Sequence, residues 1–256
     1  MDLAETTIES FIEDCKELFG GRLVSVVLYG SIMFDDLAPG YGDLDFLVVV
    51  DGDLSDEDCR SLVELRKPLR SAESSIYAKM LEGAFLPRRM LDPTVKGKAF
   101  WWGTSGERPR ETNDLGPLVL HVIRERGCVI WGEDMRPEIP RPTREEMVGE
   151  VRGFVESIRS HGRGGTLHSV DWLLTAARLL LWLREDRLSS KSEAADWGYA
   201  HATGDWRILL PRAKELRLNP SLAESPDTQA WLDGLTDAIQ DAGNELEQEL
   251  EHPTVA

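Results

Sequence analysis

A proline-rich segment divides this chain into two halves with different hydrophobic patterns. Pro137, Pro140 and Pro142 fall close together, and a proline inside a helix removes a hydrogen bond and clashes with the preceding turn. We therefore interpret residues 132–142 as a linker. Strand-like and helix-like patterns alternate before it, whereas only helical periodicity follows it. The sequence predicts an α+β N-terminal domain over residues 1–135 and an all-helical C-terminal domain over residues 143–256.

The N-terminal half contains two runs of β-branched and apolar residues that predict buried strands. These runs cover residues 22–29 and 43–50. Weaker patterns predict one or two strands over residues 75–86 and a short strand over 128–131. Helical patterns lie between them and around them, over residues 7–19, 55–69 and 114–127. We expect a mixed β-sheet flanked by helices.

The C-terminal half begins with a helix-start signal. Thr143 and Glu146 have the spacing of a capping box, in which each side chain accepts a hydrogen bond from the other residue's backbone. Apolar residues then recur with a period of 3.6 residues over 147–158 and again over 231–250. The pattern predicts a bundle of helices.

The composition restricts the kind of partner. The chain has 256 residues and a formal net charge of −17. Binding to a nucleic acid backbone requires concentrated Lys and Arg, so we expect no nucleic acid partner. An acidic surface attracts cations, including Mg²⁺ and polycationic small molecules. Alternatively, the negative charge only keeps the protein soluble. The charge by itself leaves these two interpretations open.

The sequence offers no sign of a disulfide framework, a zinc site or a membrane segment. Cys15, Cys59 and Cys128 are widely separated, and no two of the five histidines have metal-ligand spacing. An odd cysteine count fits a reducing cytoplasm. The start of the chain lacks the pattern of a signal peptide. The longest apolar stretch, residues 173–183, contains Arg178 and is too short to span a bilayer. We expect a cytoplasmic protein.

The strongest chemical signal lies between the two predicted strands. Gly30 and Ser31 follow the first strand, and Asp43 and Asp45 open the second. Glycine permits a tight turn and close approach to a ligand, and free N–H groups at a helix start suit a phosphate. The two aspartates share a face of the strand, because residues i and i+2 point the same way. Their carboxylates suit Mg²⁺ that bridges a triphosphate.

The same residues also have a simpler interpretation. An Asp-x-Asp sequence alone is common in solvated loops, and a Gly-Ser pair alone carries even less information. The combination is more specific, because Gly30-Ser31 and Asp43-Leu44-Asp45 are each attached to a buried strand. We therefore favour the functional interpretation of this segment.

This segment resembles the signature of the DNA polymerase β-like nucleotidyltransferases, which is Gly-Ser followed by Asp-x-Asp. More closely, the chain resembles the bacterial aminoglycoside adenylyltransferases that modify streptomycin and spectinomycin. The resemblance continues in the helical half, with Arg178 in Ala-Ala-Arg-Leu-Leu-Leu-Trp-Leu and Lys191 in Ser-Ser-Lys-Ser-Glu-Ala-Ala-Asp-Trp-Gly. It implies transfer of AMP from ATP to a hydroxyl of a small molecule, with Mg²⁺ held by Asp43 and Asp45.

The resemblance also implies that Arg178 and Lys191 contact the phosphates of ATP. The residues alone allow another interpretation. Arg178 interrupts an apolar stripe, where a structural ion pair is the ordinary explanation. Lys191 lies at a predicted helix start, where a positive charge is mildly unfavourable. The phosphate-binding role therefore depends on the resemblance.

A third carboxylate is expected to act as general base, because the attacking hydroxyl must lose its proton at the α-phosphate. The resemblance places this acid on a later strand, and Glu82 matches that place. Glu73 is the alternative, although it lies in a polar, turn-like stretch. For Glu82 itself, the simpler interpretation is an exposed acid at a strand end.

Three residues are candidates for contacts with the acceptor: Trp102, His168 and Asp171. The family carries a Trp near the first position, and its aminoglycoside enzymes carry acidic and aromatic drug-binding residues in the loop before the Arg-bearing helix. In this chain that loop, residues 161–168, is basic or neutral. A second difference from the family is Gly42, because the residue before the first Asp of the motif is often Ser in that family. Two alternatives remain: transfer of AMP to a different acceptor, which could be another antibiotic, a metabolite or a protein side chain, or a nucleotide-binding regulator without catalysis.

Overall fold

A six-stranded mixed sheet forms the centre of the N-terminal part of the chain. The computed structural model describes residues 3–38, 40–71, 73–103 and 106–252. The strands are β1 (Leu23–Tyr29), β2 (Leu44–Val50), β3 (Leu81–Pro87), β4 (Ala99–Gly103), β5 (Gly106–Arg110) and β6 (Cys128–Gly132). Their order in the sheet is β5-β4-β3-β2-β1-β6. Only β2 and β3 run parallel, and every other neighbouring pair is antiparallel.

Helices cover both faces of this sheet. They are α1 (Leu3–Phe19), α2 (Asp56–Leu69), α3 (Ile76–Met80) and α4 (Pro117–Arg126). Phe46 and Val48 of β2 face a core that α1 and α2 complete, whereas Leu47 and Val49 are equally buried on the opposite face. Both faces are therefore dry, which explains why β2 is a continuous apolar run in the sequence.

Local sequence signals decide where several helices begin. The Ser55 hydroxyl accepts a hydrogen bond from the Asp58 amide, and the Asp58 carboxylate accepts one from the Ser55 amide. The Thr143 and Glu146 capping box is confirmed in the same form. Each cap satisfies N–H groups that a helix start leaves without an internal partner.

The segment 75–86 differs from the prediction. It starts with a short helix, α3, and only then enters β3. The reason is a local cap, because the Ser75 hydroxyl accepts a hydrogen bond from the Ala78 amide. The antiparallel pair of β4 and β5 was also absent from the sequence prediction. β5 lies at the sheet edge, where charged residues and Pro109 are tolerated, so its sequence lacks a strand pattern.

The C-terminal part contains helices only, within the described residues. They are α5 (Arg144–His161), α6 (Val170–Glu185), α7 (Lys191–His201), α8 (Leu210–Leu218), α9 (Pro226–Asp233) and α10 (Thr236–Glu251). α6 is central, with ten buried residues, and it packs against α5, α7, α8 and α10. The predicted fold class, a mixed sheet with helices followed by a helical bundle, is confirmed. Packing separates residues 1–142 from residues 143–256 as two compact units.

Candidate active site

Four residues form a row across one end of the sheet. Tyr29 of β1 pairs with Asp45 of β2, and Asp45 aligns with Glu82 of β3 in the parallel register. On the next strand, a Cβ atom built on Gly103 would lie 3.6 Å from Oε1 of Glu82. Because neighbouring strands are about 4.8 Å apart, the carboxylates of Asp45 and Glu82 emerge side by side. The sheet therefore brings together two acids that are distant in the sequence.

Gly30 makes the close approach that the sequence predicts. It follows β1, has a positive φ of 76°, and starts a single 3-10 turn over Gly30–Phe34. A Cβ atom at position 30 would lie only 1.9 Å from Oδ2 of Asp45. No side chain fits between this backbone and the carboxylate, so glycine is required both for the conformation and for the contact. Ser31 occupies the second position of the turn.

The negative charges at this end of the sheet affect the pKa of Tyr29. Burial raises the pKa of the Tyr29 phenol well above its ordinary value, and the negative charges of Asp45, Glu82 and Asp43 raise it further. Asp43 immediately precedes β2 and is partly buried. All three predicted catalytic carboxylates thus lie close to one phenol, and the site concentrates negative charge.

The residues present suit Mg²⁺ only together with a phosphate ligand. Within the described ranges, no group of three or more His, Cys, Asp and Glu side chains is arranged to hold a metal ion. Mg²⁺ prefers oxygen ligands and is commonly held by one or two carboxylates, with substrate phosphates and water completing six positions. Asp43 and Asp45 supply such carboxylates, and the backbone of Gly30 lies directly against the Asp45 carboxylate. The donor set therefore fits Mg²⁺ bound with a triphosphate.

Two arginines that the sequence analysis did not identify lie next to this row: Arg66 on α2 and Arg70, the C-cap residue of that helix. The Arg66 Nη2 donates to the Leu81 carbonyl, and the Arg70 Nη2 donates to the Gly103 carbonyl at 2.9 Å. Burial lowers the pKa of Arg66 to about 10, and the positive charge of Arg70 lowers it as well, while Glu107, Glu82 and Asp43 raise it. The (i, i+4) spacing of Arg66 and Arg70 in the sequence indicates that their side chains are neighbours. It was not sufficient to identify them, because charged residues at this spacing are also ordinary on an exposed helix face.

The helical unit brings three other predicted residues together. The Lys191 ammonium donates to Oδ1 of Asp171, and Nδ1 of His168 lies 3.7 Å from Oδ2 of the same aspartate. Asp171 is in the first turn of α6, and Lys191 begins α7 after the Ser190 cap. Arg178 lies two turns after Asp171 on α6, and is therefore on the same side of that helix. Packing within this unit forms a cluster of charged residues.

Trp102 requires a correction. The sequence analysis named Trp102 as a candidate for contact with the acceptor, but its side chain has 0% exposure. Its ring centroid lies 4.9 Å from that of Phe85, 5.5 Å from that of Phe46 and 5.8 Å from that of Phe11. Its position on β4 directs the ring into the α1 side of the sheet, where aromatic rings enclose it. We therefore assign Trp102 to the core.

Two families of known proteins match this chain in sequence. The nucleotidyltransferase domain family matches residues 8–86, and the aminoglycoside adenylyltransferase C-terminal domain family matches residues 140–242. The first match includes Gly30, Ser31, Asp43, Asp45 and Glu82. No curated protein sequence matches the chain.

A solved structure has the same fold. It is the spectinomycin adenyltransferase AAD(9) from Enterococcus faecialis, crystallised with ATP and spectinomycin. The TM-score is 0.75 and the sequence identity is 17%, over 95% of this chain and 99% of that one.

Within the described residues of the present chain, no helix is long and apolar enough to cross a membrane.

Proposed function

We propose that this chain transfers AMP from Mg²⁺–ATP to a hydroxyl of an aminoglycoside-like small molecule. Support comes from the matches to the nucleotidyltransferase domain family and to the aminoglycoside adenylyltransferase C-terminal domain family, and from the shared fold of AAD(9). The observation that carries this proposal is the alignment of Asp45 with Glu82 beside the side-chain-free backbone of Gly30. That arrangement offers metal-binding oxygens and a proton acceptor at one end of the sheet, next to the backbone turn that starts at Gly30.

Asp43 and Asp45 are the proposed metal-binding residues. When bound, Mg²⁺ neutralises the phosphates and stabilises the charge that develops on the oxygens during transfer. Gly30 and Ser31 bind the triphosphate through the backbone and hydroxyl groups of their turn. Asp45 is held in place by its register with both neighbouring strands, so its orientation costs little entropy when ATP binds.

Glu82 is the proposed general base. It accepts the proton of the acceptor hydroxyl as the oxygen attacks the α-phosphate in line, and pyrophosphate leaves. A carboxylate beside the metal-binding pair is in the right place, since the acceptor oxygen must also reach the α-phosphate. The sheet register supports this role for Glu82 rather than for Glu73, which is outside the sheet.

The helical unit supplies the remaining proposed contacts. Arg178 and Lys191 are assigned to the ATP phosphates because the resemblance includes their spacing and the run that follows. Asp171 and His168 are assigned to the acceptor, and the Asp171 carboxylate suits a cationic amino group of an aminoglycoside. The ion pair between Lys191 and Asp171 supports a shared role, because it joins a proposed phosphate residue to a proposed acceptor residue.

The direct test is a transfer assay with purified protein, Mg²⁺ and ATP. Spectinomycin, streptomycin and other aminoglycosides are each added, and the product is measured as released pyrophosphate and as a mass increase of one AMP group. We expect transfer to at least one acceptor in the panel, and loss of transfer when EDTA removes the metal.

Two variants make the assay specific. Asp45→Asn should abolish transfer while the protein remains folded by circular dichroism. Asp53→Asn is the control, because Asp53 is an exposed acid that pairs with Arg89 on the same unit. Full transfer by the Asp45→Asn variant would refute the proposal. ATP binding without pyrophosphate release across the panel would indicate a nucleotide-binding regulator or a different class of acceptor.

A further inference from the structure

An ion-pair bridge lies beneath the strand ends that carry Glu82. Nε of Arg66 is 3.2 Å from Oε1 of Glu107, and Nη1 of Arg70 is 3.7 Å from the same oxygen. Arg66 is in the last turn of α2 and Arg70 is the C-cap residue that follows this helix, whereas Glu107 is on β5. We call Arg66, Arg70 and Glu107 the arginine bridge. One carboxylate thus connects a helix to the outer strand of the sheet.

The bridge holds the backbone on both sides of Glu82. Arg66 donates to the carbonyl of Leu81, the residue immediately before Glu82. Arg70 donates to the carbonyl of Gly103, the residue at which an added Cβ would lie 3.6 Å from Oε1 of Glu82. The two hydrogen bonds therefore fix the start of β3 and the end of β4, which are the two strand ends that determine where Glu82 projects.

The bridge acts from the face of the sheet opposite to the Glu82 side chain. The Arg66 guanidinium packs over the Trp102 ring, with 5.3 Å between the guanidinium carbon and the ring centroid. Trp102 and Phe85 lie in the aromatic core, and Glu82 has the opposite parity to Phe85 along β3. Arg66 is therefore placed to act on Glu82 through the backbone of the strand.

Stability alone does not account for Arg66. The residue is only 3% exposed, and its Nη1 is buried and makes no hydrogen bond to any of the described residues. A buried donor without a partner is costly, and buried ion pairs are often no more stable than apolar side chains of similar size. A charged residue at this position thus requires another explanation.

We propose that the arginine bridge positions Glu82, so that Arg66, Arg70 and Glu107 act as positioning residues for proton removal from the acceptor. This inference rests on the proposed function, because it takes Glu82 as the base. Arginine suits this role because the N–H donors of its planar guanidinium have a fixed relative geometry, which holds several acceptors in defined positions. The ammonium of lysine lies at the end of a flexible stem and fixes these positions less well. No metal or substrate contact is assigned to these three residues.

The experiment compares Arg66→Met and Arg66→Lys with wild-type protein. We expect both variants to lose kcat for AMP transfer by roughly 10- to 100-fold, with KM for ATP within about twofold, because a small displacement of a reacting group has a large effect on the rate. Spectinomycin, or the most active acceptor of the panel, is the probe. Arg66→Lys retains the positive charge but not the planar set of N–H donors, so full activity in Arg66→Lys would overturn the proposal.

Arg22→Met is the matched control. Arg22 donates to the Asp58 carboxylate and so joins α2 to the 3-10 turn before β1, but at the first turn of α2, far along this helix from Arg66. It should reproduce any general loss of stability without the loss of kcat. A loss of kcat as large in Arg22→Met as in Arg66→Met would overturn the proposal, because it would indicate a general effect of loosening α2.

Amide hydrogen exchange gives a second measurement that needs no turnover. Arg66→Met and Glu107→Gln should both accelerate exchange in peptides covering residues 81–84 and 99–103, relative to peptides of α1. Unchanged exchange there would refute the bridge. Glu82→Ala separates the two hypotheses: if it retains transfer, the assignment of the base fails, whereas loss of transfer in Glu82→Ala with full kcat in Arg66→Met refutes the bridge alone.

Discussion

The Cα atom of Gly30 faces the carboxylate of Asp45 so closely that a Cβ atom at position 30 would stand 1.9 Å from Oδ2. The residue that follows β1 and the residue that opens β2 are therefore fitted to each other. This contact explains why a glycine and an aspartate separated by a loop act as one motif. It also provides the first prediction.

Gly30→Ala should reduce transfer by about 100-fold, because the new methyl group displaces Asp45 from its position. Gly52→Ala is the control: Gly52 also has a positive φ, of 72°, but a Cβ there would meet nothing within 4 Å. In both variants an alanine must adopt a positive φ, which strains the backbone, but only in Gly30→Ala does the new methyl group also displace a carboxylate. Transfer rates and thermal melts measure the two effects, and equal activity losses in both variants would contradict the interpretation.

Glu82→Gln and Asp45→Asn should fail in different ways. A general base contributes roughly 10² to 10⁴ in rate, so Glu82→Gln should lose kcat while it still binds Mg²⁺–ATP. Asp45→Asn should lose metal-dependent ATP binding together with transfer. Calorimetric titration with ATP, with and without Mg²⁺, distinguishes them. If Glu82→Gln loses ATP binding and keeps kcat, the two roles are wrongly assigned.

Trp102→Ala should cost about 3–5 kcal/mol in the free energy of unfolding, because it leaves a cavity among three phenylalanine rings. Urea denaturation measures this loss. Trp102→Phe, which keeps an aromatic ring in place, should leave KM for the acceptor unchanged. A raised acceptor KM at unchanged stability would restore Trp102 to the substrate site.

Glu245 should make the stability of the helical unit depend on pH. It is 5% exposed, and its carboxylate accepts hydrogen bonds from the amides of Thr203 and Gly204 and from Nε1 of Trp206. Burial alone would raise the pKa of Glu245, but these hydrogen bonds lower it below the ordinary value. The charged form thus stabilises the fold above the unfolded-state pKa, roughly 4.3, and this stabilisation disappears as the pH falls through the lower folded-state pKa.

Glu245→Gln should therefore destabilise the protein by about 1–3 kcal/mol at pH 7. The difference from wild type should shrink as the pH falls through the lowered folded-state pKa, since wild-type Glu245 then becomes protonated. Glu247→Gln is the control, because Glu247 is mainly exposed and pairs with Arg159 at the surface. Thermal melts between pH 3 and 7 provide the measurement, and a constant difference over that range would contradict the prediction.

Patterns within short segments were sufficient for much of the fold. The two β-branched runs predict β1 and β2 to within a residue, and the Thr143–Glu146 box marks the start of α5. Both signals are local, since side-chain alternation and capping depend on neighbouring residues only. The β4–β5 pair was not predicted, because its outer strand owes its conformation to pairing rather than to its own residues.

The sequence by itself determined the candidate motif: Gly30, Ser31, Asp43 and Asp45 lie in one segment, and their chemistry follows from their spacing. Only the tertiary structure decided which residues accompany them. The parallel register places Glu82 beside Asp45, the position on the sheet buries Trp102, and packing of α2 brings Arg66 to β3. Register and packing join segments that are distant in the chain, so no local pattern specifies them.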